Sequence, residues 1–130
     1  MRAVDKYLES ALSVVDDLPA DMQEKEKVKK VYKGYVASFG TIVKQAGLLP
    51  AAVLFGKKQS AKDGEQKKGK SEGNKKHVTD LLFKILKREK KTGKAHNFID
   101  LARKHPELRR EVIYAAVALK LALRTKEFTQ

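Results

Sequence analysis

The sequence predicts an all-α protein, a compact bundle of about six helices carrying one long, flexible, basic loop. Three observations lead there. Apolar residues recur at alternating steps of three and four through most of the 130 residues, which places them on one face of a helix. Pro19, Gly47, Pro50, Gly93 and Pro106 fall at the ends of those periodic runs, and no run reads as a strand. Finally, 42% hydrophobic and 35% charged residues suit a helical protein with a modest core, and a chain of this size folds as one domain over residues 1–130.

The first helix is expected over residues 2–16, with Val4, Tyr7, Leu8, Ala11, Leu12 and Val15 as its stripe and Leu18-Pro19 as its end. Pro19 then suits the first turn of a second helix, with Asp21 and Glu24 near the positive end of its dipole. The short connection makes the two helices antiparallel neighbours. Residues 28–55 hold the cleanest periodicity and the concentration of aromatics. Val28, Val31, Tyr32, Tyr35, Phe39, Ile42, Val43 and Ala46 form the buried stripe of a core helix that ends at Gly47. Pro50 falls in the first turn of a short helix reaching Phe55. Gly34 and Gly40, inside the core helix, each cost about 1 kcal/mol relative to Ala, so close packing, or a bend near Gly40, is expected.

Residues 57–76, KKQSAKDGEQKKGKSEGNKK, contain three glycines and no aromatic or large aliphatic residue. Such a segment cannot bury enough apolar area to offset its ordering entropy and is expected to be a flexible loop. Beyond it, Val78, Leu81, Leu82, Ile85 and Leu86 mark a helix ending before Thr92-Gly93, and Phe98, Leu101 and Ala102 a shorter one closed by His105-Pro106. Pro106 and Glu107 open a last helix running to about Lys126, with Leu108, Val112, Ala115, Leu119 and Leu123 inward. That helix carries a second apolar line, Ile113, Val117 and Leu121, so it is either central in the bundle or half of a subunit interface.

The net charge is +13 with 29 Lys and Arg, a statement about partners rather than fold. The excess is +1 over residues 1–56 (eight Lys and Arg against seven acids), +5 over 57–76 (eight against three) and +7 over 77–130 (thirteen against six). Nucleic acid is the first partner this implies and an acidic membrane surface the second, against a merely solvated, lysine-rich exterior. The basic residues are ordered. Lys29, Lys33 and Lys44 share one stripe of the core helix; Lys84, Lys87, Arg88 and Lys91 cluster on the helix after the loop; Arg109, Lys120 and Arg124 align on the last helix. Stripes of this kind contact phosphates and give affinity and salt dependence without reading bases. Tyr32, Tyr35, Phe39 and Phe55 lie on the apolar side and are expected in the core rather than stacked on bases.

Nothing in the sequence argues for catalysis, a metal or a cofactor. His77, His96 and His105 lack ligand spacing, there is no cysteine, and the serines and glycines match neither a nucleophile elbow nor a phosphate-binding loop. Asp16-Asp17 falls at a helix end, where capping is its expected use. The N-terminus carries acids within its apolar run and reads neither as a signal peptide nor as a membrane span, so a cytoplasmic protein without a membrane partner is expected.

A long helix bearing aromatics, then a basic residue, Gly-Leu and a short alanine-rich helix ending in Phe resembles the small helical subunit of the Cmr effector complex, the type III-B CRISPR interference machine. Ile42, Lys44, Gly47, Leu48, Ala51, Ala52, Leu54 and Phe55 carry the likeness, and the run from Tyr114 to Leu123 is similar to that family's last helix. Thr41 and Ile42 stand where the family pattern has a proline. The resemblance implies a non-enzymatic subunit present in several copies, stacked beside the backbone subunits that bear the guide RNA and lining the groove where target RNA lies. Its implied partners are the other Cmr subunits, guide and target RNA, and further copies of itself. The alternative is a stand-alone DNA-binding protein of helix-turn-helix type, which needs a recognition helix with base-reading side chains; residues 107–113 offer only Arg109 and Arg110.

Overall fold

The computed structural model describes residues 3–56 and 74–129. Six α-helices form the bundle: α1 (Ala3–Val15), α2 (Val31–Ala46), α3 (Leu48–Gly56), α4 (Lys76–Arg88), α5 (Phe98–Lys104) and α6 (Arg109–Leu123). The mostly helical architecture is the expected one, and each helix coincides with a periodic run. The expectation of a flexible loop over residues 57–76 falls largely outside the described residues. Its last three, Asn74 to Lys76, are ordered: the Asn74 amide donates to the Tyr32 hydroxyl at 2.8 Å, and Lys76 starts α4.

The core is one cluster to which every helix contributes. Phe39 of α2 is fully buried and packs edge-on against Phe55 of α3, with centroids 5.2 Å apart, and against Phe98 of α5 at 5.7 Å. These rings join three helices, and fully burying each ring contributes about 1.5–3 kcal/mol. Tyr32, Phe39 and Phe55 are thus core residues, as their stripe requires. α6 packs on α1, α2 and α4, and its alanines at 115, 116, 118 and 122 are all buried, so neighbouring backbones approach closely on several sides. The α1–α6 pair is parallel: Tyr7 donates to the Glu111 carboxylate near one end, and Lys126 pairs with Asp16 at 3.0 Å near the other. Burial, then the Glu111 hydrogen bond, raises the Tyr7 phenol well above its ordinary value.

Two sequence expectations are corrected. Pro19 opens no second helix; it precedes a single 3-10 turn, Ala20–Met22, followed by a two-residue hairpin of β1 (Gln23–Glu24) and β2 (Lys27–Val28). The turn residues Lys25 and Glu26 both have positive φ, 52° and 69°, the two-residue geometry whose twist matches paired strands. Val28 therefore belongs to a strand, and the core helix starts at Val31. The last helix also stops at Leu123, and the chain returns to form a single isolated bridge between Phe128 and Val28. The Val28 amide donates to the Glu127 carbonyl at 2.8 Å and the Thr129 amide to the Val28 carbonyl at 2.9 Å, while the Thr129 hydroxyl accepts from the Lys30 amide at 2.9 Å. This tail thereby satisfies one of the amide groups left open at the start of α2.

Gly47 has φ 106°, a region that favours glycine, and its amide donates to the Val43 carbonyl. Pro50 lies in the first turn of α3 as expected. The close packing expected of Gly34 and Gly40 is absent: a Cβ built on either meets nothing within 4 Å.

Candidate nucleic-acid interface

Two of the three predicted basic stripes meet in one groove. α2 and α6 run antiparallel, because the Arg109 guanidinium at the start of α6 donates to the Lys44 carbonyl at the end of α2, at 2.8 Å. The C-terminal half of α6 therefore lies beside the first turns of α2. There Lys120 and Arg124 face Lys29, Lys30 and Lys33 across a groove of about 930 Å³. Its floor is Val31, Gly34, Tyr35 and Ala37; Glu24 of the hairpin and Thr129 of the tail close one end. A smaller hollow of about 240 Å³ adjoins it, sharing Ala37 and Lys120 and adding Gly40, Thr41, Lys44, Ile113 and Val117. Together the two line the α2–α6 seam with six cationic side chains and a single acid.

The electrostatics of this seam are not those a free-standing fold would choose. Lys29, Lys30 and Lys33 crowd the start of α2, which has no acidic residue in its first turn and no side-chain cap, although cations there oppose the helix dipole. Three lysine–carboxylate ion pairs and two histidine–carboxylate contacts form elsewhere among the described residues. None involves a groove cation. The Lys33 ammonium instead lies 5.4 Å from the Phe128 ring centroid. The Asp21 carboxylate acts electrostatically on Lys29, yet a concave surface so rich in cations concentrates an anionic ligand and speeds its encounter.

Each remaining predicted residue has its place. Lys44 is exposed on the seam's far end. Arg109 instead binds the α2 C-terminus, where a carbonyl lacking a helical partner accepts it and the dipole favours its charge. Lys84, Lys87 and Arg88 lie elsewhere, beside Ser13, Val14 and Asp17 in a cleft of about 530 Å³ between α1 and α4. Lys91 follows the end of α4, its amide donating to the Leu86 carbonyl, and does not line that cleft. In the second apolar line, Ile113 is half-buried against the core, whereas Val117 and Leu121 are 38% and 40% exposed. The line therefore splits: α6 is central, and two of its three residues still reach the surface beside the seam.

Sequence reasoning missed Lys30, Gly34, Tyr35 and Thr129 as groove residues. Lys30 sits at the helix boundary, outside any stripe; Tyr35 is only half-buried, with the Lys75 ammonium 5.7 Å from its centroid. The two unexplained glycines were the signal available. α6 packs on α1, α2 and α4, while Arg109 and Arg110 at its start are exposed. Among the described residues no group of three His, Cys, Asp or Glu could hold a metal ion, and no helix is long and apolar enough to cross a membrane.

A family model described as CRISPR-associated protein (Cas_Cmr5) matches residues 5–129. No curated protein and no solved structure matches the chain.

Proposed function

The chain belongs to the CRISPR-associated Cas_Cmr5 family, the small subunit of the type III-B Cmr complex, and from that membership we propose that it is a non-catalytic subunit holding target RNA along the α2–α6 seam. Association with other Cmr subunits follows from the family; the RNA contact is our reading. The observation that carries it is the convergence of Lys29, Lys30, Lys33, Lys120 and Arg124, from two helices far apart in sequence, on one groove where none of them forms a salt bridge among the described residues. Cations so placed hold a phosphate backbone in register without reading bases. Several copies would stack beside the guide-bearing subunits, with the exposed Val117 and Leu121 next to the seam available for subunit contact.

Binding of single-stranded RNA by the isolated protein tests this. Five cations on phosphates give a log-log salt slope of roughly −3.5, and the double variant Lys120→Glu, Arg124→Glu should reduce its magnitude by about 1.4 while weakening all sequences equally. Unchanged affinity in that variant, or affinity independent of salt, overturns the assignment of the seam.

A further inference from the structure

Around the bundle the helices succeed one another as α2, α6, α1, α4 and α3, each packed on the next and α3 closing on α2. The α2–α6 seam and the α1–α4 cleft are therefore different seams, with the α6–α1 seam between them, and they share no lining residue. Lys84, Lys87 and Arg88 stand at i, i+3 and i+4 on one face of α4, within about 6 Å of axial rise. All three are exposed, and none forms an ion pair among the described residues, although Asp17 lines the same cleft. The cleft also contains the hydroxyl-bearing Ser13, while its apolar contribution is Val14, itself only 7% exposed. Protein partners dock on buried apolar or aromatic anchors, which this cleft lacks. Phosphates are held by Lys, Arg and Ser side chains, which it has.

We propose that the α1–α4 cleft is a second phosphate-binding site for a nucleic-acid strand, separate from the α2–α6 seam, so that one copy of the protein holds two strand segments at once. The proposal shares with the preceding section the reading of this chain as a nucleic-acid-holding subunit, but it rests on a different set of residues. The occupant is a phosphodiester backbone contacted without base readout. The three cations and Ser13 supply the donors, and Asp17 at the rim limits how deeply the strand settles.

The test is stoichiometry, measured on the full chain by calorimetry and native mass spectrometry at low salt with an oligouridylate of about eight nucleotides, a length that fits one site. The parent should take two oligonucleotides per chain. The variant Lys84→Glu, Lys87→Glu, Arg88→Glu should take one, the variant Lys120→Glu, Arg124→Glu should take one, and their combination none. Lys84, Lys87, Arg88 and Arg124 are exposed and Lys120 is half-buried, so circular dichroism on each variant must match the parent before its stoichiometry is read; neutralising Lys84→Gln, Arg88→Gln and Lys120→Gln, Arg124→Gln gives the same reading with less perturbation. Two oligonucleotides labelled as donor and acceptor should show energy transfer on the parent and lose it in either variant. One oligonucleotide per chain in the parent, lost only in the α6 variant, overturns the second site and leaves the seam intact. Loss only in the α4 variant overturns the seam, and with it the proposal that one copy holds two segments, leaving the cleft as a single site. An unaltered RNA stoichiometry in the α4 variant, with loss of binding to polyglutamate, overturns the proposal in favour of an acidic protein partner.

Discussion

Replacing Gly34 and Gly40 by alanine should make the protein more stable and worse at binding RNA. Both glycines are interior to α2, neither has a positive φ, and an added Cβ meets no atom within 4 Å at either site. The usual reasons for glycine in a helix are therefore missing, and each substitution should stabilise the fold by about 0.8–1 kcal/mol. Six residues along a helix separate them by about 9 Å, far enough for the effects to add to nearly 2 kcal/mol. At about 2.1 cal/mol/K per residue, a chain of 130 residues gains about 4 °C in Tm for each kcal/mol, so the double variant should melt about 6–7 °C higher. In the groove the sign reverses. Gly34 and Gly40 lie on its floor and that of the adjoining hollow, and a methyl group in each must lift a seated strand. A loss of about 1 kcal/mol, or about fivefold in Kd, is the expected scale. Thermal melts of the free protein and fluorescence-anisotropy titration with single-stranded RNA read the two effects separately. A variant that melts higher and binds RNA as tightly as the parent refutes the assignment of these glycines to a ligand-facing floor; one that melts lower refutes the premise that the floor is open.

Truncation of the three-ring junction by Phe39→Ala should cost about 3–5 kcal/mol in denaturant unfolding, because Phe39 is fully buried between Phe55 and Phe98; a cost under about 1 kcal/mol would show that the junction repacks. Val117→Glu and Leu121→Glu should leave the melting temperature nearly unchanged, since both are well exposed, while Ile113→Glu should lower it, being packed against the core. Co-purification with other Cmr subunits then reports whether the exposed pair is a contact surface, and a parent-like yield places that contact elsewhere. The Asp21 carboxyl sits below its ordinary value chiefly because the His77 imidazole hydrogen-bonds it at 2.9 Å. A depressed carboxylate stabilises the fold above its unfolded value and loses that contribution as pH falls through the folded one. The Asp21→Asn variant should therefore be less stable than the parent at neutral pH and converge with it as pH falls through the lowered folded-state value of the carboxyl. A constant difference down to pH 2 would mean that the carboxylate's charge is not involved. Loss of the Asn97 cap, whose side chain accepts from the Asp100 amide at 2.8 Å, should cost about 1 kcal/mol in the Asn97→Ala variant; no change in melting would show that α5 is held by packing alone.

What the sequence by itself determined was everything governed by local periodicity. The helices lie where apolar residues recur at steps of three and four, and Gly47, Pro50 and Pro106 mark boundaries because their backbone constraints act within a turn or two. The family likeness was legible for the same reason: residues 42–55 are one continuous segment. Only the tertiary structure decided which basic stripes share a site. Lys33 and Arg124 are neighbours across a groove because α2 and α6 pack antiparallel, and nothing in either helix's own pattern specifies its partner. Lys84, Lys87 and Arg88 look like the same kind of stripe, yet α4 packs beside α1 and carries them to another seam. The hairpin was hidden for a related reason. Residues 23–28 are mostly charged and good helix formers, and they are held as strands by Val28 pairing with residues 127–129, a hundred positions away. The two glycines carried the clearest hint in the sequence, but only the folded backbone shows that they face open space: a missing side chain has no periodicity to read, and its meaning depends on what stands opposite.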